Sequence, residues 1–491
     1  MSPRPSSLTA RTKGLFPLAC ALSLSLLGCP VVDGPAAGRD TTTNKWFQRA
    51  SSELRVADIE EARDSVAKAL SLAPQDEEVR MLAAQVHLAM LDYAEAIKHL
   101  KGIQGTQAAG LRGRALWYKG DLEAAADSLE SMLNDPDVVD DWAKSIAKLA
   151  RRGAGRTPFT ITGGLLTAVE MPHVSPTAPY FVVPVEIDGE PALALVSTGY
   201  AEVVLDSTTR AEPSWVSLRF GGRLEVQDVP ALTQDLNGIS KQIGAPIKAI
   251  LGVNLLRHVH ATIDWGGRQF VARSFSPPPP PDSTRVPLFY AKGGGMLMKS
   301  TLGDKAASLL IDTSMALPVS LDEEGWKKAG VDVKELKLLP DDPEKKLKEG
   351  MIPMLKIGAS EITQVPGYWT GQVKQVEEKL SFDIDGMVGN GLLAYYRVTL
   401  GDGGRLMWLE DNLAVQRLLN GGQAQQPPPA NQGVLPDQAP TVIVPDPKAP
   451  EPPQNKALPP AGKGGSQSQN PGPGSANPQP KTQTGGASKG P

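Results

Sequence analysis

Cysteine is nearly absent from this chain. Cys20 and Cys29 are the only two, and none follows position 29. Whatever folds downstream is therefore held by packed cores without disulfides. Long apolar runs are as scarce: after residue 29 no segment reaches the roughly eighteen apolar residues that a membrane-crossing helix needs. Charge of one sign is lacking too. Lys and Arg total 50, Asp and Glu 54, the net charge is −4, and the basic residues are spread evenly. That argues against a nucleic-acid partner. Histidine is rare, at five residues. Only His258 and His260 lie close together, and without further His, Cys or clustered carboxylates they read as surface residues rather than a metal pair. No metal and no cofactor is expected. The hydrophobic content of 41% and charged content of 21% are those of an ordinary globular protein.

What is present begins at the N-terminus. Arg4, Arg11 and Lys13 precede an apolar run from Leu15 to Leu27, too short to span a bilayer and typical of an export signal. The run closes with Leu26-Leu27-Gly28-Cys29, which resembles the lipobox of bacterial lipoproteins. That resemblance implies removal of residues 1–28, diacylation of Cys29, and a mature chain tethered to a lipid bilayer. Two acyl chains suffice as a stable anchor, where one binds marginally. Pro30 and Val31 lack the aspartate of the inner-membrane retention signal, so the expected location is the cell envelope, at the outer membrane.

Removing the signal leaves about 460 residues, enough for two or three domains. Residues 29–44 form a small-residue tether. Residues 45–152 are rich in Ala, Leu, Glu and Lys and predict helices. Asp58-Ile59-Glu60-Glu61-Ala62 is echoed by Tyr93-Ala94-Glu95-Ala96-Ile97, with Ala62 and Ala96 34 positions apart (96 − 62), and more loosely by Gly120 to Ala125. Ala84 and Gly113 lie where paired helices must approach closely. This pattern resembles the tetratricopeptide repeat, which implies a non-catalytic helical array whose groove takes a peptide or a partner helix.

After Arg156 the chain turns to short β-branched runs punctuated by Gly and Pro, which predicts an all-β region. Residues 178–275 and 285–411 flank a polyproline linker at 276–284. Residues 421–491 are Pro, Gly, Gln, Asn and Ser with almost no large apolar side chains, the composition of a disordered tail.

The two β parts repeat one another. Ile187-Asp188-Gly189 through Val196-Ser197-Thr198-Gly199 aligns without gaps to Leu302-Gly303-Asp304 through Ile311-Asp312-Thr313-Ser314. Later strings also match: Ile250-Leu251-Gly252 and Met387-Val388-Gly389. An apolar strand ending in Asp-Thr/Ser-Gly/Ser, followed by two apolar residues and Gly, resembles the pepsin/retropepsin aspartic proteases over roughly residues 178–410. The resemblance implies two facing lobes, each carrying one loop of the site, with Gly252 and Gly389 packed beside those loops. It assigns Asp312 as one catalytic carboxylate, supported by Thr313 and Ser314. At the partner position stands Ser197, followed by Thr198 and Gly199.

The family's chemistry needs two carboxylates sharing a proton, one activating water while the other polarises the carbonyl. A serine hydroxyl cannot hold that charge. Nor is Ser197 a credible nucleophile, since no histidine has a reason to face it. Asp206 and Asp264 read as turn-formers, and Val331 to Gly350 as a solvated helix–loop insertion. The expected protein is thus a multidomain lipoprotein: a tetratricopeptide-like helical repeat, an all-β bilobal aspartic-protease-like domain, and a disordered tail. Its expected function is binding or scaffolding of peptide or protein partners by an inactivated cleft. The alternative is an active aspartic-type peptidase that uses Asp312 with another carboxylate or in a homodimer. A structural envelope role is a third possibility.

Overall fold

Aspartate opens nearly every helix of the N-terminal region. The computed structural model describes residues 38–175, 178–292, 294–339 and 347–411. Cys29, the signal and the 421–491 tail lie outside the described residues. Seven helices come first: α1 (Thr41–Arg55), α2 (Ile59–Leu72), α3 (Glu77–Ala89), α4 (Tyr93–Leu100), α5 (Thr106–Lys119), α6 (Leu122–Leu133) and α7 (Asp141–Arg152). Asp40, Asp76, Asp92 and Asp140 each accept a hydrogen bond from a first-turn backbone N–H of the helix that follows, satisfying donors that would otherwise be orphaned. Gly120 ends α5 at φ +89°, a left-handed stop that glycine adopts without strain. The small residues at the repeat positions are the contact points. Ala62, Ala84, Ala96 and Ala125 are fully buried. A methyl on Gly113 would lie 2.7 Å from Leu129, so α5 and α6 touch there.

The β region follows with β1 (Thr160–Gly163), β2 (Leu166–Glu170), β3 (Val182–Ile187), β4 (Glu190–Val196), β5 (Val203–Asp206), β6 (Ser214–Phe220), β7 (Leu224–Gln234), α8 (Asn237–Ile243), β8 (Ile247–Leu251), α9 (Val253–His258), β9 (Thr262–Asp264) and β10 (Gln269–Arg273). Asp188 and Gly189 both take positive φ, making the tight turn between β3 and β4 that their sequence predicts. The strands close in the order β3-β4-β8-β5-β7-β6, with β6 pairing back onto β3.

The same ring recurs downstream. It uses β11 (Thr284–Pro287), β12 (Phe289–Ala291), β13 (Gly295–Leu302), β14 (Lys305–Asp312), β15 (Val319–Leu321), α10 (Glu323–Lys328), β16 (Lys337–Leu338), β17 (Lys348–Ile357), β18 (Ser360–Trp369), α11 (Gln372–Leu380), β19 (Gly386–Gly389), α12 (Asn390–Leu393), β20 (Tyr396–Gly401) and β21 (Leu406–Asp411). Here the order is β13-β14-β19-β15-β18-β17, and β17 pairs back onto β13. In both rings the strand that ends at the candidate site runs parallel to the strand of the second repeated string, β4 beside β8 and β14 beside β19. A third, six-stranded sheet in the order β11-β21-β20-β9-β10-β2 joins the rings. At its centre Thr262 faces Thr399, their hydroxyls 2.8 Å apart. The chain is thus a helical N-terminal region followed by a β-rich region of two barrel-like sheets.

Two expectations need correcting. The 331–350 segment is not only helix and loop, because Lys337 and Leu338 pair with Lys348 and Glu349 as a strand pair. His258 is not a surface residue. Its ring stacks on Phe159 at 4.3 Å, and burial pushes its pKa down to about 4, so it is neutral at physiological pH.

The helices do not stand apart from the β region. Residues of α1–α3 share one apolar core with Phe289, Leu297, Leu310 and Phe382. The Asp383 amide donates to the Arg55 carbonyl at 2.7 Å, and the Ser308 hydroxyl to that of Val56 at 2.7 Å. On the first barrel, the Trp215 indole donates to the Leu149 carbonyl at 2.9 Å.

Candidate functional site

Alternation along β4 and β14 fixes where the site side chains go. Val196 and Ile311 belong to the main core, while Leu195 and Leu310 belong to separate apolar clusters outside it. Ser197 and Asp312, the next residues in register, follow the outward set.

The two loops are locked together by exchanged hydrogen bonds. The Thr198 amide donates to the Thr313 hydroxyl at 3.0 Å, and the Thr313 amide to the Thr198 hydroxyl at 3.1 Å. Each hydroxyl then donates across to the other barrel, Thr198 to the Ile311 carbonyl at 2.7 Å and Thr313 to the Val196 carbonyl at 3.1 Å. Within the second loop, the Ser314 amide and hydroxyl donate to Asp312 Oδ1 at 2.9 and 2.6 Å. In the first, the Gly199 amide donates to the Ser197 hydroxyl at 3.3 Å. A methyl on Gly199 would sit 2.8–3.0 Å from the Asp312 carboxyl atoms, so glycine is required there for the carboxylate to lie across the interface. Ser197 is 0% exposed and Asp312 4%.

Gly252 and Gly389 sit beneath these loops. A methyl on Gly252 would fall 2.1 Å from the Glu202 carbonyl, and one on Gly389 2.4 Å from the Met315 and Leu317 carbonyls. The loops stack directly on the glycine backbone and hydrogen-bond to the residues beside it. Val253 N–H donates to the Tyr200 carbonyl at 2.9 Å, and Asn390 N–H to the Met315 carbonyl at 2.8 Å. The structure therefore brings together Ser197, Thr198, Gly199, Asp312, Thr313 and Ser314, with Gly252 and Gly389 in support.

The outward surface around the two loops is filled rather than open. Leu195, Tyr200 and Ile250 pack with Leu236, Ile239 and Ile243 of and beside α8. Leu310 and Met387 pack with Val373 and Leu380 of α11 and with the N-terminal helices. Asp206 is occupied elsewhere. It accepts from the Thr208 hydroxyl at 2.6 Å and the Lys248 ammonium at 2.9 Å. Burial opposes its ionisation, but these partners together with the Thr208 and Leu236 amides hold its pKa below the usual range. Asp264 accepts from the Gly267 amide at 2.7 Å. Among the described residues there is no group of three or more His, Cys, Asp and Glu placed to hold a metal ion.

A second polar constellation went unread in the sequence. Glu202, Asn254 and Arg257 are each at most 5% exposed, and Glu202 accepts from the Trp117 indole of the helical region and from the Asn254 side-chain amide. The signal was the spacing of Asn254 and Arg257, three apart on either side of Leu255-Leu256 in the helix Val253–His258.

No family model matches the chain, and no curated protein matches it. Among solved structures, a retropepsin-like aspartic protease from Rickettsia conorii is similar at 17% identity. That similarity covers 26% of this chain and 91% of the other, with a TM-score of 0.21.

Proposed function

We propose that this protein is a lipid-anchored, non-catalytic binding protein of the bacterial cell envelope, built on a tetratricopeptide-like helical array and an aspartic-protease-like bilobal body. The observation that supports this reading is that Ser197 and Asp312, both buried, stand at equivalent positions of two loops joined by an intact Thr198–Thr313 exchange. The joint between lobes is complete, yet one of the two carboxylates that a water-activating dyad needs is a hydroxyl. The packed α8 and α11 clusters beside the loops also leave little of the outward surface for an extended substrate. Pairing of two Asp312 lobes in a homodimer would require Thr313 to give up its bonds to Thr198 and Val196.

The surface offered to a partner lies on the helical side. Leu88, Leu111 and Trp142 line an apolar cavity of about 150 Å³ whose far wall is Leu380 and Phe382. Arg114, whose guanidinium carbon lies 3.7 Å from the centre of the Trp142 ring, also lines it. An apolar side chain of a partner peptide fits that chemistry. Anchoring rests on Leu26-Leu27-Gly28-Cys29.

The test is cleavage of an unstructured protein substrate from about pH 3 to 7, the range in which carboxylate dyads work. No cleavage is expected. Pepstatin-sensitive cleavage that disappears in Asp312→Asn would overturn the non-catalytic reading and establish the peptidase.

A further inference from the structure

Away from the Ser197–Asp312 loops, a cavity of about 170 Å³ opens where α5 meets the first barrel. Its rim is exposed at Lys119, Arg156 and Thr157, and its floor is the buried set Glu202, Asn254 and Arg257. Nothing in the functional reading above uses it.

Arg257 is the unusual member. It is 5% exposed, and a buried guanidinium normally has a carboxylate partner because desolvation is otherwise too costly. Here its hydrogen bond goes from Nη1 to the Tyr93 hydroxyl at 2.6 Å. The rings of Tyr93 and Tyr118 lie 5.5 and 5.9 Å from the guanidinium carbon. A guanidinium has five N–H donors, so its fork retains capacity for an oxygen pair.

Glu202 shares the cavity but is turned to other groups. Its two oxygens accept from the Trp117 indole and the Asn254 amide, each at 3.3 Å. Burial raises its pKa toward the neutral form, although these donors and Arg257 oppose that. Lys119 and Arg156 add positive charge at the rim, Arg156 being paired with Asp228. Asn254 Oδ1 is buried and accepts no hydrogen bond in the structure. Phe159 and His258, stacked on one another at 4.3 Å, also line the cavity.

We propose that this cavity binds a small organic anion consisting of one carboxylate on one planar ring. The carboxylate takes the Arg257 fork, where two parallel charge-assisted bonds give both strength and orientation. The ring lies against Phe159 or His258, the aromatic side chains of the lining. The volume suits one ring, since an engineered protein cavity of about 150 Å³ admits benzene.

Benzoate is the probe, titrated into the full-length protein by calorimetry and by Trp fluorescence, with benzamide as the neutral isostere and inorganic phosphate as a ringless anion. Saturable one-to-one binding of benzoate is expected, with benzamide and phosphate each weaker by at least roughly tenfold. Arg257→Gln should abolish it. Because that change also disturbs a buried network, Thr157→Trp at the exposed rim serves as the second variant. It should block entry and weaken binding without lowering the unfolding temperature. The proposal is overturned if benzoate fails to saturate by about 10 mM. Equal binding of benzamide or phosphate, or unchanged binding in Thr157→Trp, overturns it as well.

Discussion

Replacing Thr198 with Val tests the joint between the barrels at nearly constant shape. The Thr198 hydroxyl makes two contacts, donating to the Ile311 carbonyl at 2.7 Å and accepting from the Thr313 amide at 3.1 Å. Valine removes both and leaves two buried backbone groups of the second barrel without these partners. Each such loss costs about 1–3 kcal/mol, so Thr198→Val should destabilise the protein by about 2–4 kcal/mol after partial relaxation. Thr198→Ser is the control. It keeps the hydroxyl and loses one methyl, a change of about 0.8 kcal/mol. Urea unfolding of the full-length protein, compared at matched m-values, gives the difference. A Val variant within about 0.5 kcal/mol of wild type, or a Ser variant as unstable as Val, would refute the idea that this exchange holds the lobes together.

Two further outcomes follow. Cys29→Ser should abolish labelling by a fatty-acid analogue and release the protein from membranes, and retained membrane association would sink the anchor. Asp322 caps α10 through the Gly325 amide at 2.7 Å, and its pKa is pushed up to about 6, first by burial and then by Asp385 and Glu324. The folded state therefore holds a proton that the unfolded state releases near pH 4, so stability falls as pH rises from about 4 to 6. Asp322→Asn keeps the cap and should flatten that loss. Urea midpoints of the two proteins across that range decide it, and a gap that shifts in favour of wild type as pH rises would contradict it.

Much of the β region was legible because its constraints are local. Asp188-Gly189 needs positive φ at both residues and so marks a hairpin. Gly252 and Gly389 stand where a loop carbonyl leaves no room for a methyl, and the duplicated strings around them fixed both barrels' site strands. The joining sheet was less legible. Its strand Leu166–Glu170 precedes the duplicated strings and alternates buried with exposed, which says strand but names no partner. The helices were legible from their Ala, Leu, Glu and Lys content and their repeated small residues, while the Asp caps were seen only in the structure. The destination of the helices was not legible: the apolar faces of α1–α3 bury Leu297, Leu310 and Phe382, which nothing in the repeat spacing points to. An amphipathic pattern specifies that a face is covered without specifying by what. His258 was misjudged for a related reason, since a polar residue in a short apolar helix looks surface-bound until its Phe159 partner, 99 residues earlier (258 − 159), is known.

The groups that join the two loops can be told apart from those that a proton-sharing pair would need. All four groups of the Thr198–Thr313 exchange are backbone or hydroxyl, and none depends on the identity of residue 197. A second carboxylate at 197 would be buried beside Asp312 and would have to share its proton, because like charges so close cannot both ionise. That arrangement is worth its cost only where the shared proton performs work. Serine at 197 removes the repulsion, keeps a group that accepts from the Gly199 amide, and leaves the joint intact. Leu310 beside Asp312 is buried under the helical region, while Ile311 faces the barrel core. The strand carrying Asp312 is thus clamped from both sides.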